Sequence, residues 1–443
     1  MANFQNAVIA IFSVTIVLGI MIFVHEWGHF IAAKLAGVRV EIFSLGFGMR
    51  VFGTKRGDTD YRISALPFGG YVRMAGDNPV EERTGAPDEF LSKPRWVRVL
   101  IAVAGPAMNI LLAVLIFWGL FWLRGIPIPT YLREPAVVAA VPEASASTSN
   151  IQPGDRIVEV NGVKTPTWEN ALTEAGKAKP GDSLSVTILR NGAQNTFVSK
   201  VPAKHDVFAL VGYPAMAPVV DEVAIGFPAE KAGLKPGDLV VSMNGKPVVT
   251  WPQLVDRVHQ SGGQPIQFVV RRNGTEIPLA IAPMQGMDPE GGSVWQIGVS
   301  PRTKDDYERQ GFVASSKDAA VAALLTMREI KGVLAGLFTG KVSIRQLQGV
   351  VGIARESGRA AKSSPERLVE LMAIISINLG ILNLLPIPIL DGGHVLLLAI
   401  EGLLRRDLSI AVKERFVQVG LVFLLGIFAF VMYSDILKLI QHH

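Results

Sequence analysis

The sequence contains no cysteine and has few charged residues for its length of 443. The absence of cysteine excludes disulfides and thiol chemistry, and it is compatible with an oxidising compartment. Charged residues make up 18% of the chain and hydrophobic residues 49%, and the mean hydropathy is +0.35. This composition is too apolar for an ordinary soluble enzyme. The net charge of +5 does not indicate a nucleic-acid partner, because the basic residues cluster beside hydrophobic segments.

Four hydrophobic segments are long enough to cross a bilayer, for which about 20 mostly apolar residues are needed. They lie at about residues 7–34, 99–123, 371–390 and 416–434. The first lacks the basic start and the A-x-A site of a secretory signal, so we expect it to be retained. The positive-inside rule places the basic loops 35–95 and 394–415 in the cytoplasm. Both termini and residues 124–368 then lie on the far side of the membrane.

An H-E-x-x-H motif lies inside the first hydrophobic segment, at residues 25–29. On a helix this spacing puts His25 and His29 on one face, where both can bind zinc, and it places Glu26 to act as a general base. Ionisable side chains are costly within a bilayer and mark functional sites there by default. The motif therefore predicts hydrolysis of a peptide bond within the membrane, with Glu26 taking a proton from water and returning it to the leaving amine.

A catalytic zinc usually has three protein ligands, so a third is expected from another segment. The best candidate is Asp391, which ends the third segment after two prolines that interrupt the helix. An interrupted helix at membrane depth is tolerated where it is buried in protein or lines a wet cavity. Asp391 could instead cap a helix at the membrane edge. His394 is the rival ligand, and Glu41 and Glu401 are more distant alternatives.

Two features are candidates for holding a substrate. Asn383 could hydrogen-bond an extended substrate backbone, and Pro386 and Pro388 of the same segment complete the predicted substrate-binding set. Alternating residues between 47 and 74, about a turn at 55–58, predict a β-hairpin. Its free edge could pair with a substrate strand, and the alternative is a structural plug without substrate contact.

Small and polar residues predict contact between the first two segments. Gly28 would allow close approach of another helix, such as the 105–109 stretch of the second segment. Asn109 lies in that stretch, and we expect it to hydrogen-bond across helices in a structural role. Farther along the chain, apolar residues at helical spacing between 321 and 337 predict an amphipathic helix, packed on the protein or on the membrane surface.

The far-side region contains one module twice. Residues 151–162 align with 234–245, and both begin with a Pro-Gly-Asp turn and end with Asn-Gly. The other matched positions are Trp168 with Trp251 and Arg190-Asn-Gly with Arg272-Asn-Gly. The pattern predicts a turn, a strand, a second turn, a helix and a strand hairpin in each copy.

Each copy resembles the bacterial form of the PDZ domain, in which P-G-D and N-G recur at this spacing. A PDZ domain adds an extended peptide to its sheet edge and binds a carboxylate in a backbone nest. Candidate nests lie at residues 211–213 and 297–299. The alternative is that the modules hold no peptide and only shield the site.

The H-E-x-x-H motif, N-x-x-P-x-P-x-L-D-G-G at residues 383–393 and the two PDZ modules together resemble the site-2 protease family of intramembrane zinc metalloproteases. The likeness covers nearly the whole chain. It includes residues 67–76 and 346–354, which are similar to stretches typical of bacterial members. The resemblance implies a polytopic α-helical membrane protein with four transmembrane helices, a cytoplasmic-side β-hairpin and two extracytoplasmic PDZ domains.

The resemblance also implies Zn²⁺ held by His25, His29 and Asp391, with Glu26 catalytic. The implied substrates are single-pass membrane proteins already trimmed by another protease, such as an anti-sigma factor, with signal-peptide remnants as a second class. It further implies an inner-membrane location, with both termini and the PDZ domains in the periplasm. There the PDZ pair would exclude uncut substrates by size or bind a peptide. Lipid is an expected partner and nucleic acid is not.

The predicted organisation divides the chain into eight parts. They are helix 1 (1–35), a loop with the hairpin (36–96), helix 2 (97–124), PDZ domain 1 (128–215), PDZ domain 2 (216–302), an amphipathic linker (315–368), helix 3 (369–394), and a cytoplasmic loop with helix 4 (395–443). Two other functions are compatible with parts of the pattern. A PDZ-based membrane adaptor with a structural metal would not need Glu26. A metal transporter predicts repeats of broken helices within the membrane, whereas the repeat at 151–162 and 234–245 is expected outside it.

Overall fold

A computed structural model of the chain describes residues 2–78, 84–143, 150–202, 207–224, 226–287, 292–340 and 349–440. The chain forms two compact units. The first comprises Met1–Gly125, Arg309–Lys331 and Leu347–His443, and the second comprises Ile126–Glu308 and Gly332–Gln346.

The secondary structure of the described residues is mainly helical in the first unit and mainly β in the second. The α-helices are α1 (Ala2–Leu35), α2 (Arg95–Leu123), α3 (Thr130–Arg133), α4 (Trp168–Gly176), α5 (Phe208–Val211), α6 (Pro228–Lys231), α7 (Trp251–His259), α8 (Phe312–Phe338), α9 (Val350–Ser363), α10 (Pro365–Asn383), α11 (Asp391–Leu404) and α12 (Ile410–Ile440). The strands are β1 (Val40–Arg56), β2 (Thr59–Met74), β3 (Ile126–Pro129), β4 (Arg156–Val160), β5 (Val163–Lys164), β6 (Ser183–Arg190), β7 (Ala193–Lys200), β8 (Val220–Val223), β9 (Leu239–Met243), β10 (Lys246–Pro247), β11 (Ile266–Arg272), β12 (Thr275–Ile281), β13 (Met284–Met287), β14 (Ser293–Gln296), β15 (Val299–Pro301) and β16 (Asp305–Glu308).

Three of the described helices are long and apolar enough to cross a membrane. They are Gln5–Leu35 in α1, Arg95–Leu123 as α2 and Ile410–Tyr433 in α12, and they match the first, second and fourth predicted segments. The third predicted segment, 371–390, is not one continuous helix, because α10 ends at Asn383 and α11 begins at Asp391. Pro386 and Pro388 lie in the gap, where a proline removes a backbone donor and clashes with the preceding turn.

Helix α2 packs closely against both α1 and α10. A Cβ at Gly28 of α1 would overlap the carbonyl oxygen of Ala104, which confirms the predicted close approach of the second segment. A Cβ at Gly380 of α10 would lie 3.0 Å from the carbonyl oxygen of Pro106. Farther along α2, a buried cluster joins α2, α8 and α10. It consists of Ala113, Phe117, Ala319, Ala323, Ala373 and Ile377.

Strands β1 and β2 form the predicted hairpin. The two strands pair antiparallel, and Arg56 lies opposite Thr59 next to the turn. The pairing has several register shifts. Gly57 in the turn has a φ of 62°. Phe43 of β1 is buried against Phe30 of α1, so the base of the hairpin rests on α1. Toward the tip the apolar side chains of β1 are exposed.

The second unit contains two modules of the same topology. Their four-stranded sheets have the orders β5-β4-β6-β7 and β10-β9-β11-β12. Asn161 and Asn244 both have positive φ, at 51° and 50°, and a glycine with positive φ follows each. Two consecutive residues with positive φ are what a tight hairpin turn requires. The modules therefore share the duplicated fold that the repeat predicts, and their assignment as PDZ domains stays a prediction.

The strand that precedes the two modules, β3, lies beside the strand that follows them, β16. Strand β3 pairs antiparallel with β16, so that Ile126 faces Glu308 and Pro129 faces Asp305.

The candidate nests contain Gly212 and Gly298, with φ of 75° and 79°. The predicted amphipathic segment corresponds to α8 and α9. Residues 341–348 between them, which include the start of the 346–354 motif, lie outside the described residues.

Candidate metal centre

Helix α1 presents His25 and His29 on one face, as their spacing predicts. The two Nε2 atoms lie 3.2 Å apart, and the residues are only 7% and 8% exposed. Because residues four apart on a helix are neighbours, this part of the site is set by one element alone.

Asp391, the first residue of α11, meets both imidazoles. Its Oδ2 lies 3.1 Å from Nε2 of His25, and its Oδ1 lies 3.4 Å from Nε2 of His29. One potential ligand atom from each of the three residues lies within 4.8 Å of the others. The structure therefore brings together the three side chains that the sequence singles out.

A tight turn holds Asp391 in this position. A Cβ on Gly392 would overlap the carbonyl oxygens of Leu384 and Leu385, and one on Gly393 would overlap that of Ile387. Ile389 has a φ of 79°, a conformation that is rare for a β-branched residue and costs about 1–3 kcal/mol. The strain indicates that the surrounding structure imposes the position of Asp391.

The donor set fits a catalytic zinc. Two imidazole nitrogens and one carboxylate are a ligand set that leaves a coordination position for water. A Cβ at residue 105 would overlap Nε2 of His29, so glycine at this position makes room for the ring. Among the described residues, no other group of three or more histidine and acidic side chains comes close enough to share an ion.

None of the alternative ligands belongs to the cluster of His25, His29 and Asp391. Glu41 pairs with Arg39 and Arg73, at 3.5 and 3.4 Å. Glu401 is buried and pairs with Lys413 at 2.7 Å. His394 lines the same cavity as the three residues but is not part of their cluster.

Helix α2 contacts the opposite nitrogen of each imidazole. Nδ1 of His29 lies 2.8 Å from the carbonyl oxygen of Ile101, so Nδ1–H donates there and Nε2 is left free for a metal. Nδ1 of His25 lies 3.2 Å from the amide of Asn109. Asn383 approaches from α10, with its amide nitrogen 3.4 Å from Nε2 of His25.

Strand β2 covers Glu26. A Cβ at Gly70 would lie 2.9 Å from Cγ of Glu26 and 3.0 Å from the carbonyl oxygen of Ser44, and the backbone of Val72 hydrogen-bonds the Glu26 carboxylate. Sequence reasoning did not identify Gly70, Gly105 or the Val72 backbone as parts of the site. The consecutive glycines at 69 and 70 in a β pattern were the available signal, because glycine in a strand often marks close approach of another group.

A cavity of about 850 Å³ contains the cluster. Its lining includes Glu26, Asn383 and, farther away, polar side chains such as Arg98, Lys413 and Glu414. Neither Pro386 nor Pro388 is among the described residues that line it. Pro388 instead packs at Gly420 of α12, where a Cβ would overlap its ring.

Comparison with known proteins identifies the family. The profile of peptidase family M50 matches residues 13–427. The Yersinia pestis protease RseP is 32% identical over 447 residues, covering 96% of this chain and 97% of that protein. The Escherichia coli regulator of sigma-E protease RseP is 30% identical over 450 residues, covering 96% and 98%.

A third relative is designated a zinc metalloprotease by its name. This Neisseria meningitidis protein is 32% identical over 445 residues, covering 95% of this chain and 97% of its own length. The family profile and these relatives extend over nearly the entire sequence, and the cluster has the ligand chemistry that zinc requires. The chain therefore belongs to peptidase family M50 and is a zinc-dependent metalloprotease.

Proposed function

We propose that this protein cleaves peptide bonds inside a membrane, within the transmembrane segments of single-pass proteins already trimmed by another protease. The observation that carries the proposal is the position of His25, Glu26 and His29 in a helix long and apolar enough to cross a bilayer. A hydrolytic site at that depth reaches peptide bonds that soluble proteases cannot.

In this proposal His25, His29 and Asp391 hold the zinc ion, and Glu26 is the general base. Zinc supplies a Lewis acid that polarises the scissile carbonyl and makes the attacking water more acidic. Glu26 takes the proton of that water and delivers it to the leaving amine. The carbonyl of Ile101 orients the His29 ring by accepting its Nδ1 hydrogen, so that Nε2 faces the cavity.

The substrate must be extended, because a helix hides its peptide groups in its own hydrogen bonds. We assign Asn383 to bind the extended backbone, since it lines the cavity beside His25. Strand β2 lies over Glu26 and offers backbone groups for pairing. Pro386 and Pro388 act indirectly, by keeping residues 384–390 out of a helix. The competing role for the hairpin is a plug that touches no substrate.

We further propose a four-span topology in which α10 and α11 form the interrupted third span. The two modules are PDZ domains on the periplasmic side of an inner membrane, where they exclude untrimmed substrates or bind a peptide. Relatives are named regulators of sigma-E protease, which supports an anti-sigma factor as substrate. Signal-peptide remnants are a second candidate class.

The test is cleavage of a single-pass substrate with a trimmed ectodomain, in detergent or liposomes, by wild type and by Glu26→Gln. Loss of a general base lowers the rate by about 10²–10⁴-fold, while zinc content stays at the wild-type level. Glu356→Gln, a change on α9 where the residue pairs with Arg359 at 3.8 Å, is the matched control and should cut normally. If wild type and Glu26→Gln both bind zinc and neither cuts any trimmed substrate, the adaptor function replaces the protease.

A further inference from the structure

We infer that Asn109 is a positioning residue for His25. Its side-chain oxygen accepts the Nδ1 hydrogen of His25, which fixes the ring tautomer and keeps Nε2 free for the metal. The inference rests on the proposed metal centre and assigns a specific role to a residue that the sequence alone marks only as a contact between helices.

The two side chains face each other in a closed environment. The amide of Asn109 lies 3.2 Å from Nδ1 of His25, Asn109 is 0% exposed and His25 is 7% exposed. A buried polar side chain in an apolar helix is costly unless it is hydrogen-bonded. Asn109 therefore provides His25 with a fixed partner at a position that bulk water does not reach.

The chemistry of the imidazole determines which amide atom is the partner. A neutral histidine that gives Nε2 to a metal carries its hydrogen on Nδ1, so Nδ1 is a donor. An amide nitrogen cannot accept that hydrogen, whereas the amide oxygen can. In the structure Nδ2 is the nearer atom, and a half-turn of the amide exchanges nitrogen and oxygen. This rotation breaks no other bond of Oδ1, which has no hydrogen-bond partner among the described residues.

Helix α2 then supplies an acceptor to each metal-binding histidine. The Ile101 carbonyl accepts from Nδ1 of His29 at 2.8 Å, and the Asn109 carboxamide has the same function for His25. Such outer partners orient the ring and raise the basicity of the ligand, and their loss typically costs 10–100-fold in metal affinity.

Helix α10 fixes Asn109 from the other side. The hydroxyl of Ser376 donates to the backbone carbonyl of Asn109 at 2.8 Å, and a Cβ at Gly380 would lie 3.6 Å from Cβ of Asn109. Helix α10 thus contacts the backbone and the Cβ of Asn109 and helps to hold this part of α2 beside His25.

The experiment measures zinc affinity of the full-length protein by competition with a chelator, alongside the visible spectrum of the cobalt-substituted form. Asn109→Leu keeps the side-chain size but lacks an acceptor, and we expect zinc to bind about 10–100-fold more weakly. Asn109→Asp retains an acceptor oxygen and should bind zinc close to the wild-type level. Asn195→Leu, the same change at an exposed position of β7, is the matched control and should retain zinc.

Thermal unfolding of the apo proteins identifies the variants that fold, and Asn109→Ala replaces Asn109→Leu if the latter does not. The inference is overturned if a folded variant without an acceptor binds zinc as wild type does, or if Asn109→Asp loses as much affinity as Asn109→Leu. His25→Ala distinguishes a failure of the metal centre from a failure of the role assigned to Asn109. If it also retains full zinc affinity, the metal centre itself is wrongly assigned. If it loses zinc while Asn109→Leu does not, only the role of Asn109 fails.

Discussion

At His29, the Nε2 atom occupies the space in which any residue larger than glycine at position 105 would place its Cβ. Gly119 lies in α2, as Gly105 does, but a Cβ at Gly119 would meet no atom within 4 Å. A side chain at position 105 would therefore collide with the His29 ring, whereas one at position 119 would not collide with anything.

We predict that Gly105→Ala weakens zinc binding, because the added methyl group must displace the His29 ring or separate α1 from α2. Outer contacts that orient a metal ligand are typically worth 10–100-fold in affinity, and we expect a loss at least that large. Zinc content after dialysis against a chelator measures it.

Gly119→Ala is the control for this prediction. It should retain zinc fully, since alanine also favours a helix over glycine by roughly 1 kcal/mol. Equal zinc retention by both alanine variants would contradict the assigned close packing at Gly105.

Among the elements, the two modules repeat one buried ion pair as well as one topology. Arg190 binds Asp155 and Arg272 binds Asp238, each with a shortest distance of 2.6 Å. In both modules the aspartate ends the Pro-Gly-Asp turn and the arginine begins Arg-Asn-Gly. The carboxylates are 2% and 1% exposed, so each pair ties a turn to the end of a strand inside the module.

We predict that Arg272→Met destabilises the second module, because it leaves the carboxylate of Asp238 buried without its partner. Breaking such a pair costs about 3–5 kcal/mol when both groups are buried, and we expect about 2–4 kcal/mol because Arg272 remains partly exposed. Hydrogen exchange of the β9 amides in the full-length protein measures the opening free energy.

The stabilisation of the second module by the Arg272–Asp238 pair depends on pH. Burial alone would raise the pKa of Asp238, but the hydrogen bonds from Arg272 and from the backbone of Lys235, together with the positive charges of these two residues, outweigh burial and lower this pKa. A carboxyl whose pKa is lower in the folded state contributes stability above its unfolded pKa of about 4, and this contribution is lost as the pH falls through the folded value. Wild-type β9 should therefore lose protection on acidification below about pH 4.

Arg271→Met is the control, because Arg271 forms an exposed pair with Glu276. Exposed pairs contribute about 0–1 kcal/mol, so exchange from β9 should barely change. A similar loss in both methionine variants would show that the buried pair has no special role.

For the whole molecule, the absence of cysteine is an experimental advantage. Single cysteines can report which side of the membrane a segment occupies, without background labelling. Lys164 in the first module and Arg406 after α11 are both exposed, and the positive-inside rule places them on opposite sides.

We predict that Lys164→Cys reacts with an impermeant maleimide added outside spheroplasts, whereas Arg406→Cys reacts only in inverted vesicles. The cysteine-free parent protein controls for other labelling. Labelling of both positions from the same side would contradict the four-span topology, since an even number of spans would then separate them.

Ion pairs also connect the two modules of the second unit. Glu143 of the first module, the last residue of the described range 84–143, binds Lys246 and Arg257 of the second module, both at 2.8 Å. Hydrogen bonding by Lys246 and then by Arg257 lowers the pKa of Glu143, so the bridge stays charged at neutral pH. The repeat in the sequence predicts two copies of a module but carries no signal for this contact.

Features that depend on near neighbours along the chain can be predicted from the sequence. The spacing of His25 and His29 settles that both lie on one helical face, and Asn-Gly at 161–162 and 244–245 settles the turns, because each property involves a few consecutive dihedral angles. Hydrophobic length likewise indicates α1, α2 and α12 as membrane-spanning helices, and the hairpin follows from alternation about a glycine turn.

Which distant groups meet the histidines depends on the packing of the folded chain and cannot be predicted from the sequence. Glu41, Glu401, His394 and Asp391 are all available by composition, and the turn at 384–390 brings the carboxylate of Asp391 to within 3.1 Å of His25. The ring partners on α2 and the cover that β2 places over Glu26 depend on how helices and strands pack. That packing is a balance of many small contacts summed over residues far apart in sequence, and no local pattern records it.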